Sequence, residues 1–187
     1  LIRYADDFVC AFEDREDAEN FERELYARLE KFGLEVAEEK TRTIRFSRFG
    51  GKQNGTFCFL GFEYRWVQRR TGKQGVQRHT VPKRKRESVK AFGEWVKKER
   101  HKPLKKLMGM VRRKFRGYWE YYGVNGNLKA LDYVFHYCKN LLFKWLNRRS
   151  QRKSYTWRQF MQMLEGFQIP KPRITETGPG PQLSLFS

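Results

Sequence analysis

Cysteine is scarce in this sequence. Cys10, Cys58 and Cys138 are the three in 187 residues, widely separated and in no CxxC pair. That argues against a disulfide framework and against a structural zinc site. The three are expected as small core residues in a reducing compartment. Histidine is equally scarce, and His79, His101 and His136 have no ligand-like residues near them, so they read as non-metal. There is no signal peptide, no lipidation motif and no uncharged apolar run of ~18 residues, which sets a membrane partner aside. Acidic residues are too few to balance the basic ones. The chain has 40 Lys and Arg against 21 Asp and Glu, a net charge of +19. Such an excess implies a polyanionic partner, because displacing counterions from phosphates favours binding. A ribosomal-type RNA-binding protein would share these totals.

The charge is unevenly placed. Residues 1–64 hold 10 Lys/Arg and 14 Asp/Glu, whereas residues 65–187 hold 30 and 7. Such asymmetry suggests an acidic unit followed by a basic one that lies along nucleic acid. The first unit alternates strand and helix. Leu1 to Phe12 reads as two short strands meeting at Asp6-Asp7. Because Leu1-Ile2-Arg3-Tyr4 already reads as mid-strand, a segment upstream is expected. Glu13 to Phe32 carries Ala18, Phe21, Leu25 and Leu29 at helical spacing, with Gly33 as its terminator. Leu34–Val36, Thr43–Phe49 and Thr56–Trp66 read as further strands. The expected fold class is α+β.

The basic half reads differently. Residues 67–86 are expected as a basic connector, with Pro82 as punctuation. Helices are expected over Ser88–Lys98, Leu104–Tyr122 and Leu128–Asn147. Thr156-Trp157-Arg158-Gln159 fits a capping box opening a last short helix. The domain division is then 1–66, 67–86, 87–169, and a flexible tail over 170–187 rich in Pro and Gly. No internal repeat is present.

Tyr4-Ala5-Asp6-Asp7 is the sharpest local pattern. Adjacent carboxylates at a hairpin tip are readily explained by a divalent metal, since buried like charges need a counter-charge. In two-metal phosphoryl transfer, ions roughly 4 Å apart activate the attacking oxygen and steady the leaving group. Mg²⁺ prefers carboxylate oxygens and keeps several waters. The plainer reading is an exposed Asp-Asp turn. Lys40 reads either as a surface lysine or as a cation serving a triphosphate. Gly61 reads as a packing glycine or as a site of close backbone approach.

Three blocks carry a family resemblance. Tyr4-Ala5-Asp6-Asp7, between Leu-Ile-Arg and Phe-Val, resembles the catalytic motif of reverse transcriptases. Gly33-Leu34-Glu35-Val36-Ala37-Glu38-Glu39-Lys40-Thr41 resembles their "GL-x-L-x-x-x-K-T" block, and Phe59-Leu60-Gly61-Phe62 their "FLGF" primer-grip hairpin. In the basic half, Phe115 to Gly123 resembles the "L-x-G-W-x-x-Y-[FY]" pattern of the group II intron maturase-specific domain. Leu142 to Arg149 resembles its "L-x-x-W-x-x-R-R" stretch. The chain thus resembles the C-terminal part of a group II intron-type reverse transcriptase and maturase.

The resemblance implies the C-terminal half of a polymerase palm, followed by an all-α thumb and maturase region. It implies Asp6 and Asp7 as catalytic ligands of two Mg²⁺ ions, completed by a residue outside this chain. It gives Lys40 a catalytic role, and Phe59, Leu60, Gly61 and Phe62 the primer grip. The implied partners are group II intron RNA, an RNA template/DNA primer duplex and deoxynucleoside triphosphates, in a bacterial cytoplasm. This chain alone is expected to lack polymerase activity. The cations expected on nucleic acid are Arg69, Arg70, Lys83, Arg84, Lys85, Arg112, Arg113, Lys114, Arg116, Arg148, Arg149, Arg152 and Lys153. Tyr118, Trp119, Tyr121, Tyr122, Tyr155 and Trp157 lie beside them and could stack bases. The simpler reading of Trp119 and Trp145 is core packing. The alternative function is a non-catalytic maturase acting only in splicing. A ribosomal-type protein would give Asp6 and Asp7 no role.

Overall fold

The computed structural model describes residues 1–49, 55–69, 71–149 and 154–177. The fold is α+β. Strands β1 (Ile2–Tyr4) and β2 (Asp7–Val9) precede helix α1 (Arg15–Glu30). Then come β3 (Phe57–Phe59), β4 (Phe62–Gln68), β5 (Gln74–Thr80), and helices α2 (Pro82–Glu99), α3 (Leu104–Tyr122), α4 (Leu128–Leu146) and α5 (Trp157–Gly166). The chain divides into two compact units. Of the described residues, one unit holds those of Leu1–Leu60 and Tyr64–Val76; the other holds Gly61–Glu63 and those of 77–177.

In the first unit, β1 and β2 form a two-stranded antiparallel hairpin with Ile2 opposite Val9, Arg3 opposite Phe8 and Tyr4 opposite Asp7. Its tight turn needs left-handed backbone, which Ala5 supplies at φ 50°. Helix α1 carries Glu16 and Asp17 in its first turn and Arg28 in its last, both favourable to its dipole. Gly33 terminates it at φ 66°, the left-handed conformation that glycine adopts without steric cost. No residue of α1 is buried.

Several sequence expectations need correction. Leu34–Val36 and Thr43–Phe49 are not strands. β propensity expresses packing against neighbouring strands, and these segments lie in no sheet. Thr56–Trp66 is two strands, broken at Leu60-Gly61. The expected connector over 67–86 holds β5 and the first turn of α2. Gln, Arg and His on β5 obscured its alternation. Pro82 opens α2, since a missing N–H costs nothing in a first turn. Of the cysteines, Cys138 alone is buried; Cys10 is half-buried and Cys58 exposed.

The sheet order is β3-β4-β5. The two-residue link between β3 and β4 makes that pair antiparallel. In the second unit α2 packs on α4. Leu107, Val111, Phe115 and Trp119 recur every fourth residue on α3 and are buried. They meet Leu131, Val134, Cys138 and Leu142 of α4, and Phe160 and Leu164 of α5. This is the burial expected of amphipathic helices sharing one core. The capping box of α5 forms, with Thr156 Oγ1 accepting from Gln159 N at 3.3 Å and Thr156 N donating to Gln159 Oε1 at 2.9 Å.

Residues 170–177 are not a loose tail. Trp119 Nε1 donates to Pro170 O at 3.0 Å, and Thr175 N to Gly123 O at 2.8 Å. Glu176 pairs with Arg78 and accepts from Asn125 N at 2.8 Å. A side chain at Gly123 would collide with Arg173 O and Thr175 Oγ1, so this strap requires glycine there. Residues 178–187 of the expected tail lie outside the described residues.

Candidate functional site

In the first unit the hairpin turn presents two carboxylates. Asp6 lies in the turn and Asp7 opens β2, and both are exposed. The ladder register puts Asp7 directly across from Tyr4, on the face shared with Ile2 and Val9. Arg3 Nε donates to Ala5 O at 2.9 Å, which fixes the turn's backbone. The donor set suits a hard cation: adjacent carboxylates, with space around them for water. Among the described residues no third Asp, Glu, His or Cys joins them. The described residues thus bring two carboxylates together here and no third candidate ligand.

Lys40 is exposed in the turn that follows α1, its N–H donating to Ala37 O at 2.9 Å. The adjoining chain is tied to α1 through Thr43 Oγ1, which donates to Glu22 Oε2 at 2.9 Å. Among the described residues no ion pair joins Lys40 to Asp6 or Asp7.

Phe59-Leu60-Gly61-Phe62 forms a two-residue hairpin turn. Leu60 at φ 50° and Gly61 at φ 78° are both left-handed, as a type I′ turn requires. For a leucine that conformation costs about 1–2 kcal/mol. Gly61 O accepts from Val81 N at 3.1 Å, and a Cβ at Gly61 would lie 3.0 Å from the Tyr122 hydroxyl. Turn conformation and close packing both call for glycine there. Phe62 is buried against Tyr122 and Tyr121, at ring separations of 5.3 and 5.8 Å, with the Arg78 guanidinium 5.8 Å from its ring.

The predicted cations divide by environment. Lys83 and Arg84 are exposed at the start of α2, and Arg84 pairs with Glu87 at 3.3 Å. Lys85 sits 5.4 Å from the Tyr133 ring. Arg112, Arg113 and Arg116 are exposed on α3, while Lys114 sits 4.7 Å from the Trp95 ring. The Arg69 guanidinium covers the backbone of Gly75 in its own hairpin. Arg148 is exposed beside Trp145, at 5.7 Å. Arg149 differs from these in that its Nε and Nη2 donate to the carbonyls of Arg100 and Lys102. Arg70, Arg152 and Lys153 lie outside the described residues.

The aromatics divide too. Trp119 is 1% exposed and belongs to the core, whereas Tyr121 is 52% and Trp157 43% exposed. Tyr118 and Tyr122 are half-buried; burial pushes the Tyr118 phenol up to about 12 and raises that of Tyr122. The sequence reading missed Lys105 and Lys106, which helical spacing places with Arg113 and Arg116 on the face of α3 away from the core. It also missed the space on that helix: a Cβ at Gly109 or Gly117 would meet nothing within 4 Å. A backbone unshielded between arginines can be approached closely by a phosphate chain. The one signal in the sequence was the spacing of 105, 106, 109, 113, 116 and 117 around the helix.

Among the described residues no helix is long and apolar enough to cross a membrane. No protein-family model, curated protein or solved structure matches this chain.

Proposed function

We propose that this chain is part of an RNA-directed DNA polymerase of group II intron type, which also binds intron RNA to assist splicing. The observation that carries the reading is the β1–β2 hairpin. Two carboxylates stand exposed at its turn, flanked by short apolar strands, where they can reach a metal ion and a nucleotide. In this reading Asp6 and Asp7 ligate Mg²⁺ together with a carboxylate from outside the chain. The bound ions supply charge neutralisation and activation of a primer 3′-oxygen. Lys40 holds phosphate charge, and the Leu60-Gly61 turn lies against the primer strand. The exposed cations of α2 and α3 grip RNA and duplex through their phosphates. These roles rest on the motif resemblance together with the exposure of the residues.

The test is primer extension with template, deoxynucleoside triphosphates and Mg²⁺, in a polypeptide that includes an upstream palm segment. Asp6→Ala and Asp7→Ala are each expected to reduce DNA synthesis by at least about 10³-fold, as for loss of a metal-assisted step. RNA affinity should be unchanged. Synthesis undiminished in both variants would refute the polymerase role. Retained intron splicing in the same variants would separate the maturase role from the polymerase. The chain by itself is expected to synthesise no DNA.

A further inference from the structure

Helices α2 and α4 end with their cations gathered about a single ring. The Trp145 indole is half-buried. Around its centroid stand Arg100 at 5.0 Å, Lys144 at 5.6 Å, and Lys97 and Arg148 at 5.7 Å. Cation–π attraction explains why one or two cations rest on an indole. It does not explain four, whose mutual repulsion grows as they converge.

Among the described residues none of the four cations forms an ion pair, and Glu99 is taken by Lys102. Helix C-termini can offset cations through their terminal carbonyls. Here Arg149 already occupies two carbonyls at the end of α2, those of Arg100 and Lys102. Arg149 also ties the end of α2 to the end of α4, so the cluster is held in place before any ligand arrives. The chain past α4 is anchored as well, with Asn147 Nδ2 donating to Tyr155 O at 3.1 Å and Asn147 Oδ1 accepting from Tyr155 N at 2.7 Å.

We propose that Lys97, Arg100, Lys144 and Arg148 form a preorganised seat for consecutive phosphates of a nucleic-acid backbone, framed by Trp145. The inference rests on the RNA-binding part of the function proposed above and gives it a second binding surface, separate from the exposed face of α3. Its ligand is the phosphodiester chain. The seat carries no base specificity, because the cations are already arrayed around the one ring that could stack a base.

Binding of a fluorescent RNA hairpin, and of a DNA duplex of the same sequence, is measured by anisotropy across a salt series. The test variant is Lys97→Gln/Lys144→Gln/Arg148→Gln, three exposed positions whose replacement should leave the fold intact, as a thermal melt verifies. The control, Lys90→Gln/Lys98→Gln/Lys129→Gln, removes the same charge from exposed positions elsewhere in the unit. The test variant is expected to bind at least about tenfold more weakly at low salt. Its slope of log affinity against log salt should flatten by about 2–3, since each phosphate that a cation neutralises contributes ~0.9 to that slope. The control should change both far less. A loss seen on RNA alone assigns the seat to RNA; an equal loss on both probes assigns it to the phosphate chain in general. Equal weakening by test and control variants overturns the proposal and leaves RNA binding standing. Failure of the unmodified chain to bind either probe would overturn the seat together with the RNA-binding part of the parent reading.

Discussion

Helix α3 places Leu107, Val111, Phe115 and Trp119 four residues apart, each nearly inaccessible, while α1 over a similar length buries nothing. The contrast extends to the whole of the two units. Among the described residues, all 18 buried apolar ones belong to the second unit. The first leaves Leu1, Ile2, Tyr4, Phe8, Phe32, Leu34 and Phe49 exposed. Apolar burial is the main favourable term in folding, and a two-stranded hairpin alone is marginal in water. The second unit therefore carries its own stability. The first offers apolar surface that a palm partner would cover under the proposed function.

The largest expected break of this contrast is a core truncation. Phe160 is fully buried and packs against Phe143 at 5.2 Å and Trp157 at 5.4 Å. Phe160→Ala should cost about 3–5 kcal/mol, from the forfeited transfer energy and a residual cavity. Phe21 on α1 is half-buried, with Phe12 at 5.2 Å as its ring partner. Phe21→Ala should cost about 1 kcal/mol. Chemical denaturation of the two variants measures both. Equal losses would mean that the first unit is as firmly packed as the second.

A smaller effect is expected at Asn127, which is completely buried yet polar. Its Oδ1 accepts from Thr80 N at 3.0 Å, and its Nδ2 donates to Thr80 Oγ1 at 2.7 Å and Tyr122 O at 2.8 Å. One side chain thereby pins the end of β5 to the approach of α4. Asn127→Ala strands a buried N–H and weakens the satisfaction of a carbonyl, for about 1–3 kcal/mol. Asn127→Asp keeps the acceptor and loses the donor, and should fall in the same range. A midpoint shift under a few tenths of a kcal/mol in both variants would mean that water replaces the amide.

Legibility in the sequence followed the same division. The helices of the second unit could be read closely because their apolar residues repeat at 3.6. Leu104–Tyr122 was expected and found at those bounds, and the capping box at Thr156 formed. The β1–β2 hairpin was legible because its turn is local. The strands expected at Leu34–Val36 and Thr43–Phe49 failed because a strand is defined by its partner, which sequence does not name. β5 was missed because its alternation runs through Gln, Arg and His. The carboxylate turn was visible as residue identities; its completion by a third ligand was not. The inward contacts of Arg149 were not legible because charge says nothing about direction: its Nε and Nη2 turn to two carbonyls. Asn127 and the Trp145 cluster depend on residues far along the chain or on a second helix, which no local pattern encodes.

Thiol chemistry sharpens the contrast with the smallest perturbation. Cys58 lies in the first unit and is exposed, while Cys138 lies in the second and is 1% exposed. Burial pushes the Cys138 thiol from its ordinary 9.0 up to about 12. The folded state thus holds a proton that the unfolded state releases near pH 9. Stability from this group is complete below pH 9 and declines as pH rises toward about 12, because over that window the unfolded state binds fewer protons. A maleimide at neutral pH should modify Cys58 within the mixing time and Cys138 only at the rate of global opening. Denaturation midpoints at pH 8, 10 and 11 should fall for the wild type. Cys138→Val should fall less steeply, with Tyr118, between its ordinary 10.0 and about 12, and Tyr122, also raised, contributing to the remaining slope. Parallel pH curves for the two proteins would deny Cys138 its place in the alkaline loss. Fast labelling of Cys138 would deny the second unit the tight core on which the contrast depends.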